Sequence, residues 1–204
     1  MSNPRRAVII VDVQNEYFEG PLEIQYPPRE ESLTKIHQVL DAAEAEGLPI
    51  ALIEHEYPDG FPVFAPGTKA QESHPEIKER ATANWATFTK SYSSVFPGTG
   101  VQDWLASHEV DTITLVGYMT NNCILATSVD AEPKGLQVEV LSDATGAINL
   151  GNAAGQAPAQ QVHETLMTLL NSNFATVATT EAWASAVQAK EALPGSNLIE
   201  SAGN

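Results

Sequence analysis

Thr112 to Gly135, TITLVGYMTNNCILATSVDAEPKG, decides how this chain folds. The run Thr112-Ile113-Thr114-Leu115-Val116 is apolar and β-branched, as a buried strand requires. Gly117-Tyr118-Met119 breaks it. Thr120 then reads as a helix N-cap, and Pro133 with Gly135 closes the helix it opens. The unit is strand, sharp turn, helix, and it carries the chain's single cysteine, Cys123, in the first helical turn. Free N–H groups and the positive end of the helix dipole meet there, and both favour a thiolate, the reactive form of cysteine. A lone cysteine is more often a small buried apolar residue, so the remainder of the chain must supply its partners.

Outward from this unit, apolar runs and amphipathic segments alternate. Ala7 to Val13 (AVIIVDV) is a continuous apolar run interrupted only by Asp12, the pattern of a central parallel strand. Ser32 to Glu46 has apolar residues at helical spacing and stops at Gly47. Further strands are expected at Pro49–Tyr57, Ala86–Lys90, Gln137–Asp143 and Ala175–Thr179, and further helices at Thr99–His108, Pro158–Asn171 and Thr180–Ala192. Such alternation predicts an α/β fold, a parallel sheet with helices on both faces. Residues 1–193 form one domain in this reading, and 194–204 a polar tail. Pro58 to Asn84 breaks the rhythm with Pro58, Pro62, Pro66 and Pro75 and no periodicity. A connection of this length predicts an ordered flap near the site, anchored by Phe61, Val63 and Phe64. Gly146 to Gly155 reads as a flexible loop.

Composition narrows the partners. Ten Lys and Arg stand against 26 Asp and Glu, a formal net charge of −16. That surface repels phosphate backbones and anionic lipid, so neither nucleic acid nor a membrane is expected as a partner. No run is long enough for a transmembrane helix, and Ala7–Val11 is too short for a secretion signal. One cysteine forms no internal disulfide, which makes a reducing, cytoplasmic setting the default. No Gly-x-Gly-x-x-Gly follows the first strand, so no dinucleotide is expected, and no other cofactor is read.

In parallel α/β folds ligands bind beyond the carboxyl ends of the strands. Asp12 ends the first strand, Lys90 the third, and Cys123 follows the fourth, so three reactive side chains converge on one edge. The carboxylate can serve as a base for the thiol, the ammonium can tune both, and N–H groups at the Cys123 turn can hold an oxyanion. This set suits amide hydrolysis through a thioester. Gln14, Phe18, His55 and Tyr118 flank these positions and are the candidate substrate contacts. Glu54-His55-Glu56 looks like a metal cluster, but adjacent strand residues alternate faces and cannot all chelate one ion, so no metal is assigned. His163-Glu164 is not a zinc motif, because position 167 is Met.

Three segments also resemble one family. Asp12-Val13-Gln14-Asn15-Glu16-Tyr17-Phe18 resembles the Asp-x-Gln opening of the isochorismatase-like cysteine hydrolases. Lys90 to Phe96 is similar to their Lys-x-x-x-Ser-Ala-Phe segment, with Val95 for Ala. Gly117 to Ala131 is similar to Gly-x-x-Thr-x-x-Cys-Val-x-x-Thr-Ala-x-Asp-Ala, with Ser128 for Ala. The likeness runs in order from about Ala7 to Trp183. It implies a three-layer α/β/α sandwich around a mostly parallel six-stranded sheet. It also implies Cys123 as nucleophile, Asp12 as general base and later acid, and Lys90 as the charge between them. A non-proline cis peptide at Tyr118–Met119 would turn the Met119 N–H to the oxyanion beside that of Cys123, and a homodimer or higher homo-oligomer is implied.

The departures refine this expectation. The metal-binding Asp-x-His of the family's nicotinamidases is missing at the second strand, and Cys123 disfavours the vinyl ether cleavage of true isochorismatases. Hydrolysis of a small carboxamide or ureido compound is therefore expected. The rival from another class is a peroxide-reactive thiol redox protein, and a third reading is a silent paralogue that only binds.

Overall fold

The computed structural model describes residues 3–203. In chain order the elements are β1 (Arg6–Val11), α1 (Glu16–Glu19), α2 (Arg29–Ala45), β2 (Ile50–His55), α3 (Pro75–Arg80), β3 (Ala86–Lys90), α4 (Val101–Ser107), β4 (Thr112–Tyr118), α5 (Leu125–Ala131), β5 (Gln137–Gly146), β6 (Leu150–Asn152), β7 (Gly155–Ala157), α6 (Ala159–Leu169), β8 (Thr176–Ala178), α7 (Thr180–Ala189) and α8 (Leu198–Ala202). Six strands form one sheet in the order β3-β2-β1-β4-β5-β8. Every neighbouring pair in it is parallel. This is the expected α/β architecture.

Parallel neighbours need crossover connections, and these place helices on both faces. The alternation along β1 shows the result: Val8 and Ile10 enter one core with Leu33, Ile36 and Leu40 of α2 and Trp183 of α7. Ala7, Ile9 and Val11 enter the other with Val101 and Leu105 of α4, and Ile124. A strand buried on both faces has no polar side to show, which explains the uninterrupted apolar run. Toward the amino ends of the strands, Glu139 of β5 joins the layers. It is paired with Arg6 at 2.9 Å and accepts from Thr114 Oγ1 and Trp183 Nε1 at 2.9 Å each.

Chain order reverses between β1 and β4. Their carboxyl ends therefore diverge into loops on opposite sides, leaving the crevice in which α/β sheets bind ligands. Gly117 shapes that crevice. Its φ is +103°, and a Cβ added there would lie 2.1 Å from the Val11 carbonyl oxygen. Only glycine lets β4 pass β1 so closely.

Four local expectations change. β1 ends at Val11 because Asp12 takes φ +50°, a left-handed conformation that turns its side chain out of the strand direction. The 58–84 segment is ordered as expected, but it contains a helix, α3, where no periodicity was read. Gly146 to Gly155 is not a loop throughout, since β6 and β7 pair there as an antiparallel hairpin. The tail carries a short helix, α8, capped by the Asn197 side chain.

Candidate active site

Asp12 stands at the end of β1, Lys90 at the end of β3, and Cys123 in the turn after β4. Their side chains meet. Lys90 Nζ lies 2.7 Å from Asp12 Oδ2 and 3.2 Å from Cys123 Sγ. All three residues are at most 2% exposed. A buried ammonium and carboxylate at this distance stabilise each other's charge, and neither would stay ionised alone.

His55, the last residue of β2, completes the cluster. Its Nδ1 lies 2.8 Å from Lys90 Nζ. An ammonium can only donate, so Nδ1 accepts and Nε2 carries the ring hydrogen. Gln14 holds His55 from behind: its Oε1 accepts from His55 N at 2.8 Å and its Nε2 donates to His55 O at 2.9 Å. The same Nε2 also donates to Gln71 O. The amide of Gln14 is thus engaged with backbone.

Cys123 sits in a turn of unusual form. The Tyr118–Met119 peptide is cis, at the position the resemblance implies. Thr120 to Ile124 then wind as a π-helical turn before α5 begins. Thr120 is not the N-cap expected of it; Met119 occupies that place in extended conformation. The Thr120 hydroxyl instead donates to His163 Nδ1 at 3.0 Å, and His163 Nε2 donates to the Ser142 carbonyl at 2.9 Å. That carbonyl can only accept, which fixes the neutral tautomer of His163. The Met119 carbonyl accepts from Asn122 N at 3.1 Å and Ile124 N at 3.2 Å, and the N–H of Cys123 lies between those two.

Electrostatics revise the expected thiolate. Burial raises the Cys123 pKa, the Asp12 carboxylate raises it further, and Lys90 only partly opposes them. Removal from water outweighs the turn's N–H groups, so the resting sulfur is a thiol. Burial likewise raises Asp12, against the lowering effect of Lys90. For Lys90, burial acts downward, but Asp12 and Cys123 prevail and the pKa rises. His55 falls to about 3 through burial and the neighbouring Lys90, and so stays neutral.

The walls are aromatic. Phe64 from the flap packs on His55 and Tyr17, with ring centroids 5.1 and 5.3 Å apart. Tyr57 meets the His55 ring edge-on at 4.3 Å and carries Phe61 at its outer side. Phe18 stacks against His74 at 4.3 Å and touches Tyr118, whose hydroxyl bonds Ser32 Oγ at 2.7 Å on α2. Tyr118 therefore reaches away toward α2. Tyr17 has its pKa raised well above the ordinary value by burial, then by Cys123 and Asp12, so its phenol stays protonated beside them. Phe64 is one of the anchors expected of the flap, whereas Tyr17 does not stand out by sequence, since a buried aromatic looks the same whether it fills a core or walls a site. The hydrogen bonds Asn15 N to Glu72 O, Glu16 N to Ala70 O and His74 N to Val13 O, at 2.8 to 2.9 Å, bind the flap to the chain just after β1.

Asp12, His55 and Cys123 bring one ligand-type atom each within 4.8 Å of one another. A metal ion would suit such donors. The Lys90 ammonium already lies against the same three side chains and supplies the positive charge. The Glu54 carboxylate accepts instead from Ser73 Oγ at 2.6 Å, so Glu54-His55-Glu56 does not act as one cluster.

Comparison with known proteins agrees with this geometry. Residues 6–182 match the isochorismatase domain family. A secreted isochorismatase effector of Verticillium dahliae is 34% identical over 68% of this chain and 71% of its own length. The nicotinamidase of Escherichia coli is 26% identical over 72% of this chain and 85% of its own. The crystal structure of a presumed isochorismatase from Burkholderia xenovorans LB400 superposes with a TM-score of 0.96 at 42% identity, covering 99% of this chain and 96% of that one. Among the described residues no helix is long and apolar enough to cross a membrane. With the Lys90 ammonium set between Asp12 and Cys123 on this sheet, the chain belongs to the isochorismatase family of hydrolases.

Proposed function

We propose that the protein hydrolyses the C–N bond of a small carboxamide or ureido compound through a thioester on Cys123. The observation that carries this reading is the buried contact of one ammonium with a carboxylate and a thiol, at 2.7 and 3.2 Å. Asp12 takes the thiol proton as sulfur attacks the substrate carbonyl carbon. The carbonyl π pair moves to oxygen, which the N–H groups of Met119 and Cys123 hold. When the pair returns, the C–N bond breaks and the leaving nitrogen takes the proton from Asp12. Water then adds to the thioester, giving its proton to Asp12. The C–S bond breaks, and the sulfur recovers that proton.

The raised pKa of Cys123 supports this order of events. A proton leaves sulfur only as attack proceeds, so a general base is needed, and Asp12 is the base at hand. A peroxide-reactive thiol needs a resting thiolate, which burial and Asp12 oppose. Relatives named as a nicotinamidase and an N-carbamoylsarcosine amidase support C–N hydrolysis. A cytoplasmic location and assembly as a homodimer or larger homo-oligomer belong to the same reading.

The test is ammonia release across a panel of primary amides, ureas and N-carbamoyl compounds. Cys123→Ser and Asp12→Asn should each lower kcat by about a thousandfold or more on any substrate found, the usual scale for losing a nucleophile or its base. Equal release by wild type and Cys123→Ser would end the proposal.

A further inference from the structure

We propose that His55 is a positioning residue that holds the Lys90 ammonium between Asp12 and Cys123, a role that rests on the cysteine-hydrolase reading above. The argument begins with the sheet. β3 is two strands from β1, a separation of about 9–10 Å, so Lys90 reaches Asp12 only by laying its side chain across the end of β2. His55 is the register partner of Lys90 and ends that strand. The lysine passes over the histidine and touches it.

Hydrogen bonding gives the contact its consequence. Four acceptors surround Lys90 Nζ: Asp12 Oδ2 at 2.7 Å, His55 Nδ1 at 2.8 Å, and the Tyr92 carbonyl and Cys123 Sγ at 3.2 Å each. An ammonium has three hydrogens. The bonds to His55 Nδ1, the Tyr92 carbonyl and Cys123 Sγ take these three, while Asp12 is held at 2.7 Å as an ion pair with no hydrogen aimed at it. The short bond to His55 sets the rotation that keeps one hydrogen on the sulfur. Without that acceptor the ammonium can turn wholly to Asp12, which leaves the sulfur without its counter-charge as the thiolate develops.

His55 is built to be a fixed acceptor. Gln14 clamps both its backbone N–H and its carbonyl. Tyr57 and Phe64 confine the ring. Its depressed pKa keeps Nδ1 unprotonated at any physiological pH. Its Nε2 is buried and has no protein partner among the described residues. That leaves one competing role, hydrogen-bond donor to substrate, and the two roles give different kinetics.

The comparison is His55→Asn against His55→Gln, two polar substitutions of the same chemistry. An asparagine oxygen falls where Nδ1 is, whereas a glutamine oxygen falls near Nε2. We expect His55→Asn to keep kcat within about threefold of wild type, and His55→Gln to lose about tenfold or more in kcat with KM within about twofold. The rate and pH profile of Cys123 alkylation by iodoacetamide, which needs no substrate, should divide the variants in the same way. A raised KM in His55→Gln with unchanged alkylation would make His55 a substrate ligand and overturn the proposal, as would equal behaviour of the two variants. In the unsubstituted protein, 15N shifts of His55 should show Nδ1 bare and Nε2 protonated from pH 5 to 8; the opposite tautomer overturns it without any variant. If the wild type released no ammonia from any amide, the proposed reaction would fail, while alkylation and tautomer would still decide the role of His55.

Discussion

His55 also carries a cost that can be measured apart from catalysis. Its pKa is about 3 in the folded chain against 6.5 for an ordinary histidine, so between those values the unfolded chain binds a proton that the folded one refuses. Stability from this residue is fully present above pH 6.5 and is lost as pH falls toward 3. The slope reaches about 1.4 kcal/mol per pH unit for one proton. Urea unfolding of wild type and His55→Asn at several pH values should show a flatter acid limb in the variant. Parallel curves would mean that His55 titrates normally in the folded state. Asp12 is the second residue at which local structure serves the site. Its left-handed φ ends β1 early and aims the carboxylate across to Lys90, a conformation that costs on the order of 1–3 kcal/mol unless surroundings hold it. Here the bond from Asp12 N to Ile53 O at 3.0 Å and the ion pair hold it.

At the scale of elements, the site depends on how closely β4 passes β1. Gly117→Ala would place a methyl group 2.1 Å from the Val11 carbonyl oxygen and force a residue other than glycine to φ +103°. Val11 lies in the central strand and cannot move aside without disturbing β2. The variant should lose more than about 3 kcal/mol in urea unfolding, or fail to accumulate in soluble form. A loss under about 1 kcal/mol would show that β4 shifts freely, and that the crevice is less constrained than its geometry indicates. The flap is the complementary element. Its residues near 70–74 are bonded to the chain just after β1, so Asp12 and the cover over it are positioned by the same few residues.

At the scale of the whole molecule, the net charge opposes an anionic substrate. The net charge is −16, and nine of the ten lysines and arginines are ion-paired among the described residues. The tenth, Lys190, ends α7. Lys90 is the lysine in contact with Cys123, and it is committed to Asp12. A neutral amide should therefore be preferred to an anionic one of similar size. Raising salt from about 20 to 200 mM should increase kcat/KM for an anionic amide through screening, and leave a neutral one nearly unchanged. A faster anionic substrate with no salt response would refute this.

Periodicity and strand-end polarity made the parallel sheet and the positions of Asp12, Lys90 and Cys123 legible in the sequence. Buried strands must be apolar throughout, and parallel sheets put reactive groups at their carboxyl ends. The three motifs around those residues made the family legible too. Elements without an apolar period were not legible: α3 sends only Ile77 into the core, and the β6–β7 hairpin and α8 bury no side chain, so backbone hydrogen bonds and turns hold them. Partnerships across the sheet were decided only by the tertiary structure. Gln14 and His55 read alike as polar residues near strand ends, yet one is engaged with backbone and the other with Lys90. The protonation of Cys123 was settled there as well: a helix-start position favours a thiolate, while burial beside a carboxylate favours a thiol. Burial wins because desolvation acts on the whole charge, whereas the turn offers only partial charges, and no local stretch of sequence states how deep a side chain will lie.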